Sequence, residues 1–178
     1  RNPDEYGPQI FSDYITDFID RNTNKPFFIY YPMVLVHDPF VPTPDSPEWI
    51  DPSLRYKNDT AYFADMMAYT DKIIGQIVDK LRKKKLWNHT LLIFTGDNGT
   101  GRSVISSTAC GNIPGGKGLS INTGNHVPMV ISWPDKIAKP FVFKDIVDFS
   151  DILPTLADAA GIDPSKYVTD GMSFYKVL

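Results

Sequence analysis

The stretch LLIFTGDNGTG at residues 91–101 begins with four apolar residues and then turns abruptly polar. The apolar run is typical of a buried strand. Asp97, Asn98 and Gly99 come directly after it and fit two interpretations. Asn-Gly is a common turn dipeptide, so the strand could simply end in a tight turn. Alternatively, Asp97 and Asn98 supply the hard oxygen ligands that Ca²⁺ or Mg²⁺ prefers, which would make the turn half of a metal site.

Three other segments have the apolar spacing of helices. Residues 9–21 and 59–85 carry apolar side chains at every third or fourth position, which predicts two amphipathic helices. SDILPTLADAAG, residues 150–161, predicts a shorter helix with Ser150 as its N-cap and Gly161 as its C-cap.

Strands are predicted between these helices. They are expected at PFFIYYPM, which begins at Pro26, at TLLIFT, at VPMVISW and, as a short fourth, at residues 145–149. Loops are expected at residues 34–52, which are rich in proline, and at residues 99–126. Strands that alternate with helices predict an α/β fold with a largely parallel sheet flanked by helices.

Composition excludes several classes of function. The chain has 178 residues, of which 42% are apolar, so it can build a hydrophobic core. Its 18 basic and 21 acidic residues leave a net charge of -3, and no basic field for nucleic acid is expected. No apolar run approaches the roughly 20 residues of a membrane span. Cys110 is the only cysteine, which rules out an internal disulfide.

Two further residues could take part in chemistry. His37, in LVHDPF, could donate to an anion or protonate a leaving group, or it could be a structural histidine bonded to a loop carbonyl. Lys117, in PGGKG, could hold an anion between glycines, or it could belong to a flexible surface loop. Ligands collect at the carboxyl edge of parallel sheets. We therefore predict that Asp97, Asn98, Lys117 and His37 lie on one rim of the sheet.

In combination, these segments resemble the sulfatase family of the alkaline phosphatase superfamily. PFFIYYPMVLVHDPFVPTP resembles the segment with an active-site histidine, LLIFTGDNGT the second metal-binding segment, and PGGKG the lysine loop. VPMVISWP and DILPTLADAAGI with DGMSF resemble the segments that close the catalytic domain. The resemblance runs from about Pro26 to the C-terminus and implies an alkaline-phosphatase-like fold.

The resemblance also implies roles for the candidate residues. Asp97 and Asn98 would ligate a divalent cation, usually Ca²⁺, with Mg²⁺ as the alternative. Lys117 would bind a sulfate oxygen, and His37 would bind the sulfate ester and help to protonate the leaving alcohol. The implied substrate is a sulfated small molecule or glycan. Two other interpretations stay open: a phosphonate or phosphodiester hydrolase of the same superfamily, and a binding protein that kept the fold without the chemistry.

The chain departs from the family pattern in three places. The family nucleophile is a formylglycine made in a C/S-x-P-S-R segment, which is absent, and Cys110 in TACGNIP does not match it. The family's paired N-terminal aspartates are also absent. His126 stands where an arginine is common.

We therefore expect residues 1–178 to be an incomplete catalytic domain that lacks its N-terminal part and is inactive alone. An exposed sheet edge would allow self-association. The family resemblance favours a periplasmic, secreted or lysosomal location.

Overall fold

The computed structural model describes residues 4–178, apart from the side chain of Pro164, and the chain divides into two compact units after Ser132. Helices of the first unit are α1 (Gly7–Arg21), α2 (Tyr62–Lys83) and the single turn α3 (Asn122–Asn125). Its strands are β1 (Leu92–Thr95), β2 (Ile105–Thr108), β3 (Gly111–Pro114) and β4 (Met129–Ser132). The second unit contains α4 (Ile152–Ala159).

Helices α1 and α2 pack against each other through the apolar faces that the sequence predicts. Ile15 and Ile19 of α1 are buried against Leu81 of α2. Burying a side chain of this size stabilises the fold by about 1.5 to 3 kcal/mol. Asp20 completes the contact, since its carboxylate lies 2.7 Å from Lys80 Nζ and 2.9 Å from Lys84 Nζ. No helix within residues 4–178 is long and apolar enough to cross a bilayer.

The segment predicted as a buried strand from Pro26 is extended but unpaired. Phe27, Ile29 and Tyr31 pack against the core of α1 and α2. The side chains between them point away, and Phe28 and Tyr30 are 70% and 80% exposed. This alternation has the period of a strand. Neither described sheet includes the segment, so the prediction of a buried strand is wrong. A strand needs a hydrogen-bonded neighbour, and no described segment supplies one.

Strands β1 and β4 confirm two predicted strands but not the predicted direction of pairing. They are antiparallel, with Leu92 opposite Ser132 and Thr95 opposite Met129. The second pair, β2 with β3, is antiparallel as well. The prediction of a largely parallel sheet is therefore not confirmed. Because β1 and β4 run in opposite directions, the end of β1 and the start of β4 lie at the same edge.

The region predicted as one long loop at residues 99–126 contains a hairpin and a helical turn. Strands β2 and β3 form the hairpin, and Gly111 adopts a positive φ of 110° at its turn. A residue with a side chain would be strained in this backbone conformation. The sequence pattern hides these strands because ISST and GNIP are short and polar, and most of their residues are exposed.

The second unit shows how α4 begins and ends. The C-cap of α4 is Ala160, one residue before the predicted Gly161. Gly161 follows it with a φ of 71°, and Ile162 N–H donates to Ala157 O at 2.8 Å, so the glycine ends the helix just beyond the cap. The predicted N-cap, Ser150, is wrong. The N-cap position of α4 is held by Asp151, which makes no side-chain cap hydrogen bond. Asp148 caps the short 3₁₀ helix Phe149–Asp151 that leads into α4, because its carboxylate accepts from Ser150 N–H at 2.8 Å. Residues 145–149 form no strand, since this segment leads into the cap and uses its polar groups there.

Candidate functional site

The turn after β1 holds Asp97 and Asn98 and is fixed by the glycine that follows them. Gly99 N–H donates to Gly124 O of α3 at 2.8 Å. A Cβ atom at Gly99 would overlap the carbonyl oxygen of Thr123, so the close approach requires glycine. The backbone bends at Asp97 and Asn98, and the contact of Gly99 with α3 fixes this bend. It does not exclude the metal-site interpretation, because the side chains of Asp97 and Asn98 take no part in these contacts.

The lysine loop is anchored to the same turn by its backbone. Lys117 N–H donates to Thr100 O at 3.0 Å, and Gly116 N–H donates to Thr123 O at 3.2 Å. A Cβ at Gly115 would overlap Gly101 O, so the two segments lie directly against each other. The structure therefore brings the Lys117 loop beside the Asp97–Asn98 turn. Half-buried Lys117 does not belong to a freely exposed loop.

The side chains of this turn have no partners in the part of the chain that the structure describes. Within residues 4–178, no hydrogen bond or ion pair reaches the Asp97 carboxylate, the Asn98 amide or the Lys117 ammonium. Two hard oxygen ligands suit a divalent cation such as Ca²⁺, which takes about 6 to 8 oxygens. Among the same residues, no group of three or more His, Cys, Asp or Glu side chains could hold a metal ion. Asp97 and Asn98 therefore fit such a cation only as part of a larger ligand set.

His37 lies in the loop that follows the extended segment. Its Nδ1 is 2.7 Å from Asp38 O and 3.1 Å from Asp38 Oδ1. Because a carbonyl oxygen only accepts, Nδ1 carries the proton, and Nε2 of the neutral ring is left as an acceptor. This contact is the loop-carbonyl bond that the structural interpretation predicts. The side chain remains 61% exposed, so Nε2 is still accessible to a ligand.

The loop of His37 is connected to the turn of Asp97 only indirectly. Phe40 is buried against Val104 and Met66, and its ring lies 3.8 Å from the Cβ position of Gly101. In the described residues, no contact joins the His37 ring to Asp97, Asn98 or Lys117. The placement of His37 on the same rim stays a prediction.

An open cavity of about 190 Å³ adjoins the turn. Its lining includes Asn98, Thr100, Ser106 of β2 and His126, which lies shortly before β4. Ser106 is not a site residue predicted from the sequence, and His126 is a weaker candidate than His37 as well as a departure from the family pattern. His126 could be connected with Asn98 from the sequence only if the antiparallel pairing of β1 with β4 were known.

Comparison with known proteins assigns the family. A family model described as Sulfatase matches residues 2–162. The arylsulfatase of Hemicentrotus pulcherrimus is 28% identical over 172 residues, which cover 96% of this chain. Arylsulfatase A of Homo sapiens is 30% identical over 159 residues, or 89% of this chain. The crystal structure of Ps i-CgsB covers 97% of this chain at 28% identity with a TM-score of 0.78. The chain belongs to the sulfatase family.

The chain spans only part of these relatives. It covers 30% of the length of either arylsulfatase and 38% of the Ps i-CgsB chain. Members of the family use a divalent cation and a formylglycine residue. The sequence of this chain contains no C/S-x-P-S-R segment, in which the formylglycine would be formed.

Proposed function

We propose that residues 1–178 supply one part of the active site of a sulfate ester hydrolase. In this proposal Asp97 and Asn98 are oxygen ligands of a divalent cation, Ca²⁺ or alternatively Mg²⁺, and Lys117 and His37 contact the sulfate. The observation that carries it is the hydrogen bond from Lys117 N–H to Thr100 O. It holds the backbone of Lys117 against the segment that follows Asp97 and Asn98, in a chain of the sulfatase family. The ammonium, the carboxylate and the amide make no hydrogen bond or ion pair within residues 4–178.

The chemistry of sulfate ester cleavage suits these side chains. Cleavage builds negative charge on the sulfuryl oxygens and on the oxygen that leaves. The positive charge of the Lys117 ammonium stabilises the negative charge that develops on the sulfuryl group. Removing one fixed donor of this kind from an enzyme raises the activation free energy by about 2.7 to 4 kcal/mol. A bound divalent cation supplies Lewis-acid polarisation at the same group. His37 can take a proton at Nε2, because its Nδ1 proton is already engaged by Asp38, and can pass it to the leaving alcohol.

The remaining parts of the site must come from polypeptide beyond these 178 residues. Neither Lys117 nor His37 can replace the family nucleophile, and Asp97 with Asn98 supplies at most about three side-chain oxygens. We infer that the chain is part of a longer catalytic domain and is inactive alone. The whole protein's substrate is a sulfated small molecule or glycan. Relatives named arylsulfatase and N-acetylgalactosamine-6-O-sulfatase support both classes.

The proposal is tested by comparing residues 1–178 with the full-length protein that carries them. Calorimetric titration with Ca²⁺ should show weak binding to residues 1–178 and tight binding to the full-length protein. Only the full-length protein should hydrolyse an aryl sulfate. Asp97→Asn should weaken Ca²⁺ binding, whereas Asp71→Asn, an exposed change on α2, should not.

Three results would contradict this function. Tight Ca²⁺ binding with turnover by residues 1–178 alone would show that the site is complete. Faster cleavage of a matched phosphate ester would favour a phosphonate or phosphodiester hydrolase. Binding of a sulfated ligand without turnover by the full-length protein would favour a binding protein.

A further inference from the structure

We propose that His126 and Ser106 form a specificity site for the alcohol part of the sulfate ester, and that this alcohol is a hydroxyl of a sugar ring. The inference rests on the function proposed above and assigns a role to the cavity beside Asn98. It places the sulfate at Lys117 and the ring that carries it against the hairpin of β2 and β3.

His126 is positioned by the same backbone contact that fixes the turn of Asn98. The bond from Gly99 N–H to Gly124 O joins the residue after Asn98 to a residue two positions before His126. His126 N–H then donates to Asn122 O at 3.0 Å, which closes the turn of α3. Asn98 and His126 both line the cavity. Within the described residues, the imidazole of His126 makes no hydrogen bond, so it is available to a ligand.

Ser106 faces the cavity because of the alternation of β2. Ser106 is half-buried and borders the cavity, whereas the next residue, Ser107, is exposed and donates to Asn112 Oδ1 at 2.9 Å. The hydroxyl of Ser106 has no hydrogen-bond partner in the described part of the chain. The two adjacent serines therefore lie on opposite faces of the hairpin, and only Ser106 lines the cavity.

The lining of the cavity suits a sugar better than an aryl or steroid group. The lining combines polar residues with apolar ones: Asn98, Thr100, Ser106, Thr123 and His126 together with Ile113, Pro114, Val127 and Pro128. A sugar ring presents hydroxyls at its edge and C–H groups on its faces. It can therefore form hydrogen bonds with the polar lining residues and pack against the apolar ones. A fully apolar ring would leave the hydroxyl and imidazole groups without partners. The volume is below the roughly 300 to 1,000 Å³ of whole ligand pockets, which fits one ring.

The test is a comparison of two substrates in the full-length protein. The wild type and its His126→Ala, Ser106→Ala and Ser107→Ala variants are assayed on a sulfated monosaccharide and on 4-nitrophenyl sulfate. Losing one hydrogen bond to a ring hydroxyl should lower kcat/KM for the sugar sulfate by about 5- to 100-fold in His126→Ala and Ser106→Ala. Values for 4-nitrophenyl sulfate should stay within about twofold. Ser107→Ala should match the wild type on both substrates.

A binding measurement separates this inference from the proposed function. Affinity for the desulfated sugar should fall in His126→Ala, while affinity for inorganic sulfate should not change. An equal loss on both substrates would assign His126 to the sulfate or to folding and would overturn the specificity role. Unchanged kinetics in both variants would overturn it too. Failure of the wild type to cleave any sulfate ester would instead remove the proposed function, and retained sugar binding would then identify the cavity as a carbohydrate site without hydrolysis.

Discussion

Gly99 and Gly124 are joined by a 2.8 Å hydrogen bond from the N–H of the first to the carbonyl oxygen of the second. This bond connects the turn of Asp97 and Asn98 to α3 across the whole hairpin of β2 and β3. Neither glycine could carry a side chain, because a Cβ at Gly99 would overlap Thr123 O and one at Gly124 would overlap Leu119 O. The candidate metal ligands are therefore held by backbone contacts between small residues.

We expect Gly99→Ala to destabilise the first unit. The added Cβ forces the turn away from α3, and overpacking of this kind costs about 1 to 3 kcal/mol. Thermal unfolding followed by circular dichroism measures the change. Gly75→Ala is the matched control, since nothing lies within 4 Å of its Cβ position in α2. That change should stabilise the helix by about 0.5 to 1 kcal/mol. Equal unfolding temperatures for Gly99→Ala and the wild type would show that the contact between turn and helix is dispensable.

His37→Ala in the full-length protein should lower kcat on an unactivated alkyl sulfate by about 10²- to 10⁴-fold, because a poor leaving group needs protonation. The same change should have a much smaller effect on 4-nitrophenyl sulfate, whose leaving group is acidic. Stability should change by less than about 0.5 kcal/mol, since the side chain is exposed. His89→Ala, placed between α2 and β1, serves as the control. Near-normal turnover of the alkyl sulfate by His37→Ala would remove His37 from the mechanism.

The unpaired segment after Pro26 should drive self-association of residues 1–178. Phe28 and Tyr30 face solvent, and no strand within residues 4–178 pairs with the backbone of this segment. Exposed apolar edges of this kind pair with other chains. Replacing Phe28 and Tyr30 with lysine should shift sedimentation velocity profiles toward the monomer. Tyr14→Lys removes a similarly exposed ring from α1, where strand pairing is excluded. If Tyr14→Lys restored the monomer equally well, general apolar exposure rather than the extended segment would be the cause.

Stability should depend on pH through Asp20. Hydrogen bonds from Lys80 and Lys84 lower the pKa of this carboxyl. A carboxyl whose pKa is lowered by folding contributes stability above its unfolded pKa of about 3.9 and loses it as pH falls through the folded value. Asp20→Asn should therefore lower the unfolding temperature at pH 7, and its difference from the wild type should shrink below about pH 3.9. A difference that is constant between pH 7 and pH 3 would contradict this assignment.

The sequence predicts best those elements, such as long amphipathic helices, whose structure follows from the spacing of their own apolar residues. The helical spacing of Met66, Ile73 and Leu81 recurs over many turns, and α2 forms as predicted. The sequence does not predict the hairpin, because Ser106 and Ser107 lie in a short, polar and mostly exposed strand. Such a strand has the same composition as a loop. Phe28 was predicted to be buried, but its burial depends on a neighbouring strand that the described chain does not contain.

The residues of the candidate site also differ in whether the sequence predicts them. Asp97, Asn98 and Lys117 follow recognisable local motifs, and the structure places their backbones together, although their roles stay predictions. Ser106 belongs to no motif, and its place beside Asn98 depends on the hairpin of β2 and β3, which the sequence pattern does not predict. The place of His126 beside Asn98 follows from the antiparallel direction of β1 and β4, which alternation of apolar residues does not encode.

Two backbone hydrogen bonds outside β2 and β3 close the base of their hairpin. Gly115 N–H donates to Val104 O, and Lys117 N–H donates to Thr100 O, just outside the two strands. We therefore expect that the length and composition of the segment between these bonds can change without moving the backbones of Asp97, Asn98 and Lys117. Under the proposed function, grafting hairpins from relatives should change which molecules the protein accepts and leave the proposed ligands of the cation in place.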